Sequence, residues 1–234
     1  LQQDATPIMR LAVAEGAPLS GLAARRRPNS DWSWQAGDTP MAYGVGNAVG
    51  PRLPLLLVPT TAGTGSEVTP ISIVTTGKSE KMGVVSPVIL PDIALLDPAL
   101  TISAPPHVTA ATGIDAMVHA IEAYASTSAN NNPLSRQLAV QALGLLGGAV
   151  ENAVHAGDNR QARADMLLGS MLAGQAFANS PVAAVHALAY PIGGHFKVPH
   201  GLSNALVLAH VLRFNLSLIH ISEPTRRYAI SYAV

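Results

Sequence analysis

The chain has 234 residues, enough for one large domain or two modest ones, and a hydrophobic fraction of 48% provides material for a sizeable core. Fourteen Lys and Arg balance fourteen Asp and Glu, so no overall field favours nucleic acid, anionic lipid or a strongly charged substrate. Cysteine is absent, which removes disulfides and thiolate metal ligands together, fits a reducing cytoplasm, and leaves imidazole and oxygen as the only metal donors.

Residues 1–41 carry Trp32, Trp34 and the run Arg25, Arg26, Arg27 without a sustained apolar period, and this part is poorly specified. YGVGNAVG (residues 43–50) has the wrong spacing for a dinucleotide fingerprint, follows no predicted strand and runs straight into Pro51. From Arg52 the pattern changes. LPLLLVPTT is a short apolar run stopped by turn residues, as in a strand buried on both faces, and ISIVTT, KMGVVS and IALLD continue as β-rich segments punctuated by Pro and Gly. No apolar stretch reaches membrane-spanning length, and the start lacks a signal-peptide pattern.

PTTAGTGSEVTP (residues 59–70) packs Thr60, Thr61, Thr64 and Ser66 around two glycines directly after a predicted strand. Glycine admits close approach of a ligand, and successive N–H groups and hydroxyls form a concavity suited to phosphate or ribose oxygens. A polar turn that only reverses the chain reads equally well. It is not a Walker loop, because the required Lys is missing.

After Pro98 the chain turns Ala- and Leu-rich. SRQLAVQALGLLGGAVENAVHA and RQARADMLLGSMLAGQAFANS place apolar residues three and four apart, predicting helices, with a domain boundary near residues 99–105. On the helical stretch GIDAMVHAIEAY, Asp115 and His119 lie four residues apart and share a face. His186 and His200 flank HALAYPIGGHFKVPHG. The packets D-x3-H and H-x13-H outline a mononuclear site of one carboxylate and three imidazoles, with an open position for an alcohol or carbonyl oxygen. Glu122, on nearly the same face as His119, is expected to hydrogen-bond a ligand rather than to be one. His195 falls in a GGHF turn, exposed by default. His107 reads as a helix start, His155 as a solvated helix end and His210 as packing.

PTTAGTGSEVTP, LLDPAL, PPHVTAATGIDAMVHAIEAY and HALAYPIGGHFKVPHGLSNALVL together resemble the iron-containing, group III alcohol dehydrogenases, over about residues 43–215. The resemblance implies an α/β remnant of a dinucleotide-binding domain (42–100) followed by an all-α metal-binding domain (101–215). This is the dehydroquinate synthase-like, iron-dependent alcohol dehydrogenase architecture, with the metal in the cleft between the two domains. It implies that Asp115, His119, His186 and His200 are the four metal ligands, that Thr60, Thr61 and Thr64, with neighbouring Ser66, line the NAD(P) site, and that Lys81 reaches the cofactor ribose. The chemistry implied is hydride transfer between an alcohol or carbonyl compound and NAD or NADP, with Fe2+ favoured and Zn2+ compatible. Homo-oligomerisation is compatible with all of this, whereas nucleic acid and membrane are not expected partners.

The pattern departs from the family at three places. Many relatives carry a His at the position of Tyr190, close to the nicotinamide. A phenol has a reference pKa of about 10 against about 6.5 for imidazole, so Tyr190 is expected to order or shield the site while water or His195 relays the alcohol proton. Nothing in residues 1–41 resembles the family's GGGS-type phosphate loop, and that stretch reads as a shifted frame or an incomplete gene. LSLIHISEPTR (residues 216–226) reads as a translated sequencing adaptor, so residues 216–234, His220 included, are expected to be a tail outside the fold, with exposed apolar helix faces before it. Two other readings remain open from sequence: a dehydroquinate synthase-like lyase holding metal and NAD, and an inactive truncated fragment.

Overall fold

The computed structural model describes residues 43–48, 54–76 and 80–220, together with the short strands at 24–26 and 32–34. Most of the start expected to be frame-shifted (1–41) and most of the expected adaptor-derived tail (216–234) fall outside the described residues. The strands at 24–26 and 32–34 fall inside them, and residues 216–220, expected outside the fold, continue the last helix. The chain divides into two compact units. Among the described residues, one holds the strands and the segment Ser66–Leu95, and the other joins Pro59–Gly65 to the helices that follow Leu96.

In the strand-bearing unit, β1 (Ala24–Arg26) pairs antiparallel with β2 (Trp32–Trp34), Arg25 opposite Ser33. The three-stranded sheet contains β3 (Gly44–Val45), while β4 (Leu56–Leu57) belongs to a separate ladder. β5 (Ile71–Thr76) and β6 (Glu80–Val85) form the longest pairing, antiparallel from Ile71 opposite Val85 to Thr76 opposite Glu80. The β-branched run ISIVTT suits this pleated surface. β3 adds to β6 in parallel, and β7 (Ile93–Ala94) pairs in parallel with β4. Val84 and Ala48 are the buried centre of the three-stranded sheet, where the Ser86 hydroxyl donates to the Ala48 carbonyl at 2.9 Å. The strand expected over LPLLLVPTT is reduced to the two residues of β4, because Pro54 and Pro59 frame it and neither has an N–H for a ladder. Among the described residues no α-helix precedes Pro106.

The helical unit consists of α1 (Pro106–Ala125), α2 (Pro133–His155), α3 (Arg160–Asn179), α4 (Ala184–Phe196) and α5 (His200–His220). Local chemistry sets their starts. Proline occupies the first turn of α1 and α2, where its missing N–H costs nothing. Asn132 and Ser135 form a reciprocal capping box on α2, and Asn159 accepts from Ala162 N to cap α3. Helix α4 ends at Lys197 in the left-handed region, φ 55°, and α5 begins three residues later.

Small residues bring the first three helices together. Ala116, Ala120 and Ala123 of α1 meet Ala139, Ala142 and Leu146 of α2 and Met166, Leu167 and Ala173 of α3 in one buried cluster. A Cβ on Gly169 would stand 2.8 Å from Leu146 Cγ, so α3 can approach α2 only because that position is bare. A Cβ on Gly201 would collide with the Ala111 carbonyl, which puts the first turn of α5 directly on the α1 backbone. Apolar side chains remain exposed on the last two helices, among them Leu188, Phe196, Leu206 and Phe214. Among the described residues no helix is long and apolar enough to cross a membrane.

Candidate metal centre

Asp115, His119 and Glu122 lie four and three residues apart on α1, so all three project from one face, and all three are buried. Helix α4 has no side-chain cap of its own, and Glu122 supplies one from α1. Its Oε1 accepts the Val185 backbone N–H at 2.6 Å, and its Oε2 meets His186 Nδ1 at 2.7 Å. One carboxylate thus holds the start of α4 and fixes the orientation of the His186 ring. The opposite nitrogen, Nε2, then stands 3.5 Å from Asp115 Oδ1.

His200, the first residue of α5, places its Nε2 3.5 Å from the same Asp115 oxygen, with its side chain 40% exposed. Asn204, one turn further along α5, donates from Nδ2 to Asp115 Oδ1 at 2.5 Å and lies 3.3 Å from His186 Nε2 and 3.4 Å from His200 Nε2. The rings are ordered by stacking. His119 lies between Phe177, at 5.0 Å, and His186, at 4.7 Å, nearly parallel to both. Tyr190 stacks on His200 at 5.7 Å and is half exposed.

The donor set fits a single divalent cation. Asp115, His119 and His186 each offer one atom, all within 4.8 Å of one another. Atoms bound about 2.1 Å from one ion at tetrahedral angles lie about 3.4 Å apart, close to the 3.5 Å that separates each of two imidazole nitrogens from Asp115 Oδ1. His119 Nδ1 is buried and has no hydrogen-bond partner. Carboxylate and imidazole without sulfur suit Fe2+ or Zn2+, and the Glu122–His186 pair is the arrangement by which metal-binding histidines are commonly oriented.

Electrostatics divide the cluster. Burial opposes charge at Asp115, yet the imidazoles of His119, His186 and His200 hold its carboxyl down at about 2. Burial pushes His119 down to about 4, against the pull of Asp115 and with the help of His186 and His200. At His186 burial also favours the neutral ring, but hydrogen bonds and charge from Asp115 and Glu122 prevail and raise it to about 9. Burial, then the negative charges of Asp115 and Glu122, push the Tyr190 phenol above its ordinary value.

The structure brings both predicted packets together on α1, α4 and α5. Asp115, His119 and His186 form the buried group, and His200 stands at its exposed rim. Glu122 makes a hydrogen bond to the His186 ring, as expected of it. His195 lies in the last turn of α4 rather than in a loop, exposed and outside the ring contacts of the cluster. His210, expected to pack, is exposed on α5. Asn204 was not anticipated, although its spacing of four from His200 on a helix was visible.

Thr60, Thr61 and Thr64 are half buried in Pro59–Gly65, which packs within the helical unit. Its glycines are required by that packing. A Cβ on Gly63 would lie 2.6 Å from Thr112 Cβ, and Gly65, at φ +58°, would put one 2.6 Å from Gly174 Cα. This seating on α1 and α3 belonged to neither sequence reading of the turn. Ser66 opens a 3-10 turn, Ser66–Val68, in the strand-bearing unit, and Lys81 lies on β6 opposite Thr75.

Comparison with known proteins gives a consistent result. Residues 28–98 match the iron-containing alcohol dehydrogenase profile, and residues 109–232, more than half of the chain, match the C-terminal profile of the Fe-containing alcohol dehydrogenase family. These matches take in residues 28–42 and 216–232, which the recognised motifs had left out. Long-chain-alcohol dehydrogenase 1 of Geobacillus thermodenitrificans is 52% identical over 162 residues, 69% of this chain and 40% of that protein. The alcohol dehydrogenase from Oenococcus oeni superposes with a TM-score of 0.73 at 38% identity, over 82% of this chain and 49% of that one. The sulfoacetaldehyde reductase from Bifidobacterium kashiwanohense, solved in complex with NAD+, gives 0.67 at 37% identity, over 70% and 44%. The chain spans less than half the length of these relatives.

Proposed function

The chain belongs to the iron-containing alcohol dehydrogenase family, and from that premise we propose that it serves metal-dependent hydride transfer between an alcohol or its carbonyl counterpart and NAD or NADP. The observation that carries this reading is the convergence of Asp115, His119 and His186, with His200 at the rim, on a volume suited to one ion. Asp115, His119, His186 and His200 would hold the cation, Fe2+ in preference to Zn2+. When bound, the cation supplies Lewis acidity for an alcohol or carbonyl oxygen, and the nicotinamide accepts or returns the hydride.

The remaining work falls to this chain's own side chains. Asp115, held ionised down to about 2, keeps negative charge in the cluster throughout the physiological range. Glu122 keeps the proton of His186 on Nδ1, leaving Nε2 to face Asp115. Tyr190 stacks on the His200 ring, and its raised pKa keeps the phenol protonated, so it orders and shields rather than acting as a base. With His195 outside the ring cluster, water is the relay for the alcohol proton. Thr60, Thr61, Thr64, Ser66 and Lys81 are assigned to NAD(P) on the strength of the family motifs.

A cytoplasmic setting fits a chain without cysteine, and a formal net charge of zero fits a small-molecule substrate rather than nucleic acid or anionic lipid. Exposed Leu206 and Phe214 on α5 fit burial against further copies in a homo-oligomer. The activity is tested by loading the chain anaerobically with Fe2+ and following nicotinamide absorbance with simple alcohols or aldehydes and either dinucleotide. Reversible turnover abolished by Asp115→Ala is expected. A metal-loaded chain that turns over a sugar phosphate but no alcohol or aldehyde contradicts the assignment.

A further inference from the structure

Asn204 is fully buried, and its amide is used unevenly. The Nδ2 side donates to Asp115 Oδ1 at 2.5 Å and faces His186 Nε2 and His200 Nε2, whereas Oδ1 is buried without a hydrogen-bond partner. An unsatisfied buried acceptor costs free energy, and Leu, of nearly the same shape, would fill this space without that cost. The residue is therefore not explained by packing. Its NH2 group also cannot be exchanged for an oxygen, since an acceptor at that place would oppose the Asp115 carboxylate.

We infer that Asn204 is a positioning residue that sets the orientation of the Asp115 carboxylate and, being one helical turn from His200, locks that carboxylate to the ring nitrogens of α4 and α5. Asp115 comes from α1, His186 from α4, and His200 with Asn204 from α5, so the amide is where three helices are brought into register. Glu122 performs the matching task on the other side by holding His186. The two outer groups act on different ligands, so their effects on a bound ion are separable.

This inference rests on the metal-centre reading, and the experiment distinguishes the two. The full 234-residue chain, Asn204→Leu and Asn204→Gln are titrated with Zn2+ for affinity and with Co2+ for the visible d–d bands, and each is melted in the presence of chelator. Leu removes the donor at constant shape, whereas Gln keeps it but moves it by one methylene. The expected result is melting close to that of the parent chain, Zn2+ affinity weakened roughly 10–100-fold, and altered Co2+ bands, with Gln less affected than Leu. If Asn204→Leu does not fold, Asn204→Gln decides by the same readouts. Folded variants with parental affinity and unchanged Co2+ bands overturn the role of Asn204 alone. A parent chain that takes up neither ion overturns the metal centre and this inference with it.

Discussion

Glu122 and His186, 64 residues apart in sequence, are joined by a 2.7 Å contact between a carboxylate oxygen and a ring nitrogen, both buried. The same carboxylate holds the Val185 N–H, so removing it disturbs a helix start and the orientation of the His186 ring together. Glu122→Ala should destabilise the chain by about 1–3 kcal/mol through unsatisfied buried groups. It should also weaken Zn2+ binding roughly 10–100-fold. Chemical denaturation in chelator and a Zn2+ titration measure the two effects separately.

The pH dependence of stability in chelator follows from the buried rings. His186 is raised from 6.5 to about 9, so its contribution is fully present below pH 6.5 and is lost as pH rises through 9. His119 is lowered from 6.5 to about 4, so folding must keep its ring neutral, and stability falls as pH drops from 6.5 toward 4. Asp115 adds stability above 3.8 that is lost as pH falls through about 2. Thermal melting across this range should peak near pH 6.5 and fall on both sides. Because a cation competes with the His186 proton, Zn2+ affinity should rise with pH up to about 9.

Replacing the Tyr190 phenol tests whether it carries a proton. Tyr190→Phe keeps the ring that stacks on His200 and removes only the hydroxyl. Metal content should be unchanged and most turnover retained. Near-complete loss of turnover with metal still bound contradicts a shielding role.

The PTTAG segment is anchored by backbone conformation as well as by space. Gly65 has φ +58°, and a Cβ there would stand 2.6 Å from Gly174 Cα. Gly65→Ala should cost about 1–3 kcal/mol from the backbone alone, which lowers the melting temperature by roughly 2–4 °C per kcal/mol in a chain of this size. Gly46→Ala is the control, since it shares a positive φ of 75° but would meet nothing within 4 Å. It should lose less.

What could be read in advance follows the range of the interaction. Asp115, His119 and Glu122 were legible because helical spacing is local, and the Ala-rich helices because their period repeats over many residues. The closeness of α4 and α5 to α1 was visible only as a tally of imidazoles, since nothing local links Val185 to Glu122. Asn204 escaped because a lone Asn carries no chemical signature until its partners are known. The glycines of the PTTAG turn suggested ligand approach, and the structure uses them for contact with α1 and α3, a demand set by tertiary packing. His210 was assigned to packing from residue type, but it falls on an exposed position of α5.

If Asp115, His119, His186 and His200 together hold one cation, that ion must stabilise the folded chain and depend on each of them. The decisive measurement is melting of the metal-stripped chain across a Zn2+ titration, in parallel with Asp115→Ala and His186→Ala. One ion should bind per chain, with melting that rises with the logarithm of Zn2+ concentration for the parent and stays flat for both variants. Equal stabilisation of parent and variants would place the ion elsewhere in the chain and rule out this four-residue site.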